Sequence, residues 1–176
     1  MARQSKVKDY IYQPEYECLS RSEMEALQSE RLRKTVKHVY ENCKPYRAKM
    51  DEAKLTPADI KSVSDLCKLP FTVKHDLREA YPFGFYSAPQ RDMVEIHASS
   101  GTTGKLTVVG YTQNDIDVWA EVAARSLAMA GVTKDSLVHV AYGYGLFTGG
   151  LGAHYGAQKI GASTVPASAG NTIRQL

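Results

Sequence analysis

The chain has 176 residues, of which 43% are hydrophobic and 23% charged, with a formal net charge of +3. That length and mix suit one globular domain, or one domain with a small appendage. The basic residues alternate with acids instead of clustering, which argues against nucleic acid as a partner. Cys18, Cys43 and Cys67 stand far apart with no C-x-x-C among them, so neither a disulfide framework nor a structural zinc site is expected. The first twenty residues lack the apolar stretch of a secretory signal, and no apolar run reaches membrane-spanning length. A cytoplasmic protein without a membrane partner is the expectation.

Residues 1–90 read as a helical N-terminal region. Ser20 to Glu23 matches a capping box, in which the Ser and Glu side chains each satisfy an orphan amide at a helix start. Leu32, Val36, Val39, Tyr40 and Cys43 then recur at helical spacing, and Pro45 is predicted to stop that helix. Thr56, Pro57 and Asp59 give a cap, a proline at the first helical position and an acid in the first turn. A short helical piece is predicted between Pro70 and Pro82.

From residue 91 the pattern changes. Met93–Ala98 and Leu106–Tyr111 read as strands around a loop. Thr112 to Asp115 is a second capping-box match, opening a helix with Ile116, Trp119, Ala120, Ala123, Leu127 and Ala130 on one face and Gly131 at its end. Ser136–Tyr142 reads as a buried strand with His139 a satisfied interior histidine, the segment from Thr148 as a small-residue helix, and Ser163–Pro166 as a further strand. Strand and helix in alternation predict a mixed or parallel α/β sheet occupying 91–176. Ile173 and Leu176 begin an apolar face on a helix too short to stand alone. A longer protein, or a second chain that completes the fold, is the expectation.

The loop between the first two strands reads SSGTTGK from Ser99 to Lys105. It is not a Walker A motif, because Ser99 stands where the first glycine belongs and Leu106 follows the lysine. A dinucleotide fingerprint fails as well: after Gly143 and Gly145, Thr148 replaces the third glycine. Phosphate chemistry is nevertheless present. Gly101 and Gly104 let successive amides turn into one concavity, Ser99, Ser100, Thr102 and Thr103 add hydroxyl donors, and Lys105 adds a cation. A solvated hairpin turn is the alternative reading of the same residues.

A second stretch combines Tyr142, Tyr144 and Phe147 with Gly143, Gly145, Gly149 and Gly150 directly after a strand. Aromatic walls with glycine gaps suit a flat ring, and close helix–sheet packing explains the same composition. His154 has no ligand-type residue one turn away, so a metal site there is not expected. His97 precedes the loop and could approach a nucleotide. Arg31, Arg33, Lys34 and Lys37 read as a solvated helix face or the border of a homodimer interface.

The string SSGTTGK resembles the phosphate loop of the adenylate-forming superfamily, with Leu106 where members usually carry proline. The segments around it, from Glu95 through Ser126 and from His139 through Pro166, are similar to the N-terminal part of the phenylacetate-CoA ligase family. The resemblance implies the first part of an α/β adenylation subdomain behind a helical region. It implies an acid–thiol ligase that uses ATP, Mg2+ and coenzyme A and takes an aromatic carboxylic acid. It assigns Ser99, Ser100, Gly101, Thr102, Thr103, Gly104 and Lys105 to ATP phosphates, and Tyr142, Gly143, Tyr144 and Phe147 to the acid pocket. The catalytic residues are expected beyond residue 176. A non-catalytic remnant with an oligomerising or weak phosphate-binding role, and a relative acting on another aromatic acid, are the alternatives.

Overall fold

The computed structural model describes residues 10–99, 106–170 and 172–175. In chain order the elements are α1 (Pro14–Glu17), α2 (Arg21–Asn42), α3 (Lys44–Glu52), α4 (Lys74–Glu79), β1 (Met93–Ser99), β2 (Thr107–Thr112), α5 (Gln113–Met129), β3 (Leu137–His139), α6 (Thr148–Ile160), β4 (Ser163–Val165) and α7 (Thr172–Gln175), with single 3-10 turns at Pro57–Asp59, Val63–Lys68 and Gln90–Asp92. The chain forms two compact units. One runs Leu19–Thr112, and the other joins the segment up to Cys18 with Gln113 onward.

In the Leu19–Thr112 unit, α2 starts at the expected capping box. The Glu23 amide donates to Ser20 Oγ at 3.3 Å, and the Ser20 amide donates to Glu23 Oε2 at 2.8 Å. Pro45 has a different role from the predicted stop: α2 ends at an extended Cys43, and Pro45 sits in the first turn of α3, where its missing amide leaves nothing unsatisfied. Val36, Met50 and Ile60 form the core, with Leu32, Tyr40, Tyr46, Leu55 and Leu69 against it. Lys49 meets Asp76 at 2.7 Å, tying α3 to α4 and holding the Asp76 carboxyl below its ordinary range. A cavity of about 370 Å³ under α2 is lined by apolar and hydroxyl residues without a single charge, so it is no place for a phosphate. The basic residues of α2 face solvent: Lys34 pairs with Glu30 one turn back, and Lys37 with Glu41 one turn on.

β1 and β2 form an antiparallel hairpin with Glu95 opposite Tyr111, His97 opposite Val109 and Ser99 opposite Thr107. The register slips between Met93 and Glu95. Gly110 is required where β2 passes Tyr86, because a Cβ there would lie 2.6 Å from the phenol ring.

In the second unit, α5 and α6 pack through small residues. A Cβ on Gly156 would stand 2.8 Å from Ala123, and one on Gly152 2.7 Å from the Trp119 indole. Ala124, Ala128 and Ala157 are buried there, while Ala130, expected on the same face, is exposed at the helix end. β3 and β4 pair in parallel, Leu137 opposite Ser163 and His139 opposite Val165. The parallel pair and the antiparallel hairpin give the mixed α/β character that the strand–helix alternation predicts.

The strand after α5 departs from expectation. It is short, and it is not buried on both faces: Leu137 is 72% exposed and His139 is exposed, while Val138 and Val140 point inward. Alternation puts residues 137 and 139 on one side, and among the described residues that side is uncovered. His139 is therefore a surface side chain rather than an interior one. No described helix is long and apolar enough to cross a membrane.

Candidate phosphate loop and aromatic loop

The hairpin register brings the two ends of the SSGTTGK loop together. Ser99 leaves β1 and Thr107 enters β2 directly across from it, so their side chains share a face of the hairpin. Ser100, Gly101, Thr102, Thr103, Gly104 and Lys105 lie outside the described residues. Both terminal hydroxyls, Ser99 Oγ and Thr107 Oγ1, are buried, and among the described residues neither has a hydrogen-bond partner. An unpaired buried hydroxyl costs about 1–3 kcal/mol, so two at one strand end call for a use.

Along the same face of β1, period two places Glu95, His97 and Ser99 in a row. His97 is 2% exposed, its Nε2 is paired with the Glu95 carboxylate, and its ring stands edge-on to Tyr111 with centroids 5.5 Å apart. The imidazole is thus part of the hairpin's interior. The sequence reading singled out Ser99 and His97 but missed Thr107 and Glu95, although strand alternation across a hairpin points to both.

The aromatic stretch forms the connection from β3 to α6. Val140 anchors its start, donating to Val165 O at 2.9 Å and accepting from the Ser168 amide at 3.0 Å. Three positions then seat the loop on α6. A Cβ on Gly149 would lie 2.6 Å from the Tyr142 ring, and one on Gly150 would lie 2.6 Å from the Gly143 carbonyl oxygen. The Tyr144 hydroxyl hydrogen-bonds to His154 Nδ1 at 3.1 Å. Burial pushes the Tyr144 hydroxyl pKa up.

The aromatic residues therefore divide. Tyr144 is half-buried against α6, whereas Tyr142 is 62% and Phe147 54% exposed. Tyr142 lays its ring against Gly149 of α6 while much of it stays exposed. Phe147 also occupies the residue before α6, with extended backbone and no side-chain cap. Gly149 and Gly150 make the close approaches that the packing reading of the stretch expects, whereas His154 was missed as a loop contact.

No family model matches the chain. It is 57% identical over 159 residues to the phenylacetate-coenzyme A ligase of Escherichia coli (strain K12), a match covering 90% of this chain and 36% of that protein. The phenylacetate-coenzyme A ligase of Thermus thermophilus is 54% identical over 166 residues, covering 94% of this chain and 37% of the relative. The chain matches the N-terminal part of a phenylacetate-coenzyme A ligase. It spans little more than a third of the length of these relatives. The fold agrees: an open conformation of 2-hydroxyisobutyryl-CoA ligase in complex with 2-HIB-AMP and CoA superposes with a TM-score of 0.84 at 30% identity, over 94% of this chain and 39% of that one. The thioesterification state of that ligase gives 0.82 over 90% of this chain.

Proposed function

We propose that the chain is the N-terminal portion of an ATP-dependent arylacetate-CoA ligase. The observation that carries this is 54–57% identity to phenylacetate-coenzyme A ligases over 85–94% of the chain. In the first step an acid carboxylate oxygen attacks the α-phosphorus of ATP, and the bond to the β-phosphate oxygen breaks, giving an acyl-adenylate and pyrophosphate. In the second, the coenzyme A thiolate attacks the acyl carbon and AMP departs with the bonding electron pair.

The barrier in the first step is electrostatic, an anion approaching a polyanion. Oriented donors lower it by holding the charge that accumulates on the departing phosphates. Ser99, Ser100, Gly101, Thr102, Thr103, Gly104 and Lys105 are assigned this role. The buried, unpartnered Ser99 hydroxyl at the base of the loop supports it. Mg2+ belongs to the same reading as the metal that accompanies ATP, where it would neutralise charge on the phosphates.

Tyr142, Gly143 and Phe147 are assigned to the ring of the acid, with Tyr144 behind them. Exposed aromatic side chains beside glycines suit an offset or edge contact with a phenyl group. A cytoplasmic location belongs to the same reading.

The test is pyrophosphate release with ATP, Mg2+ and phenylacetate, from this chain alone and from an intact ligase containing it. Activity from the intact protein and none from the chain alone is expected. A folded intact protein that releases no pyrophosphate with phenylacetate, benzoate or an indole acid would overturn the reading in favour of a non-catalytic role.

A further inference from the structure

The exposed rings of Tyr142 and Phe147 sit on a connection that lies between β3 and α6 and belongs to neither, and contacts with α6 help to fix it. Two of its contacts with α6, at Gly149 and Gly150, are close approaches made possible by missing side chains. They permit the loop's path without directing it. The third contact, Tyr144 to His154 Nδ1, is directional. It is also anchored. The His154 ring stands edge-on to Tyr144 at 5.8 Å and to Tyr155 at 6.1 Å, and Tyr155 stands edge-on to Trp119 of α5 at 5.7 Å. Four rings in series thus tie the loop to the α5–α6 packing.

Burial pushes the Tyr144 ionisation up, so the group stays a phenol. Its O–H donates to Nδ1 in one imidazole tautomer, and its oxygen accepts from Nδ1–H in the other.

We propose that the Tyr144–His154 hydrogen bond is a strap that positions the aromatic loop, making His154 a positioning residue for selectivity toward an aromatic acid. This rests on the assignment of Tyr142 and Phe147 to the acid. His154 acts through Tyr144 and not on the substrate itself.

The test uses the intact ligase as wild type, Tyr144→Phe, His154→Ala, the double variant and His154→Asn, whose amide can accept or donate in place of Nδ1. Two readouts are taken: amide hydrogen exchange across residues 141–148 without ligand, and KM and kcat for phenylacetate, hexanoate and ATP. Loss of one hydrogen bond of ordinary net strength corresponds to about fivefold in each equilibrium. Loop exchange about fivefold faster, and a phenylacetate KM about fivefold higher, are therefore expected in both single variants. The ATP KM stays unchanged, the preference for phenylacetate over hexanoate falls, the double variant is no worse than either single one, and Asn restores part of the loss.

Unchanged loop exchange in both single variants would overturn the strap. Faster exchange with unaltered acid preference, or equal losses for ATP and phenylacetate, would overturn its role in selectivity. A wild-type ligase that activates no aromatic acid would instead sink the acid-pocket assignment, and the exchange measurement would still decide the strap.

Discussion

The hairpin and the aromatic loop invert the usual distribution of side chains in opposite ways. At the hairpin, a histidine is buried together with two hydroxyls, of Ser99 and Thr107, that are unpartnered among the described residues. At the loop, a tyrosine and a phenylalanine are more than half exposed. Polar groups inside and aromatic rings outside both cost stability in a resting protein. The proposed assignment of an anion to one place and an apolar ring to the other would give both a use. The two regions also differ in how they hold their shape. The hairpin relies on a strand ladder and the buried Glu95–His97 hydrogen bond, the loop on glycine seats and one side-chain hydrogen bond.

The largest effect expected from breaking this contrast is at His97. His97→Ala leaves the Glu95 carboxylate inside the hairpin without its imidazole. Leaving a buried polar group without its hydrogen-bond partner costs about 1–3 kcal/mol, and truncating a buried ring adds a cavity, for about 2–4 kcal/mol together. Urea unfolding of the intact ligase measures it. A loss below about 0.5 kcal/mol, the range of ordinary surface substitutions, would mean the pair is not structural.

Next in size are two substitutions that should act as mirror images. On the proposed assignment Lys105→Ala would remove one charge-assisted contact to phosphate, worth about 1.5–3 kcal/mol, so the ATP KM should rise about tenfold or more while the phenylacetate KM holds. Phe147→Ala removes a ring contact worth about 0.5–1.5 kcal/mol beyond its area, together with apolar surface, so the phenylacetate KM should rise about tenfold while the ATP KM holds. Steady-state kinetics with each substrate varied in turn separates them. Both constants moving together in either variant would erase the distinction between the two regions.

The same contrast shows what a sequence exposes and what it hides. Local rules read well. The Ser20–Glu23 capping box, the Gly131 helix end with φ of 91°, and the strand flanking Ser99 all depend on residues within a few positions of each other. The candidate phosphate residues were legible for that reason, since their chemistry is contiguous from Ser99 to Lys105. Pro45 misled because one residue both ends a helix and starts another, and only the backbone at Cys43 separates the two roles. Leu137 and His139 misled because an apolar run looks alike in a strand covered on one face and on two. The Tyr144–His154 bond was invisible because it closes ten residues of loop and helix upon themselves, a distance no periodicity spans.

The smallest predicted effect tests the hairpin most finely. Ser99 Oγ is buried and, among the described residues, unpartnered. If the hydroxyl met no partner in the bound state either, replacing it would remove a desolvated group with nothing lost, and Ser99→Ala would be neutral or slightly stabilising with an unchanged ATP KM. If it reaches a phosphate oxygen in the bound state, the same variant should raise the ATP KM about three- to fivefold with no loss of stability, since a hydrogen bond to a charged partner is then missing only from the complex. Thermal unfolding without nucleotide, set beside the ATP KM, reads the two quantities separately. A drop in unfolding temperature with an unchanged KM would make Ser99 an architectural residue and move the phosphate assignment away from the base of the loop.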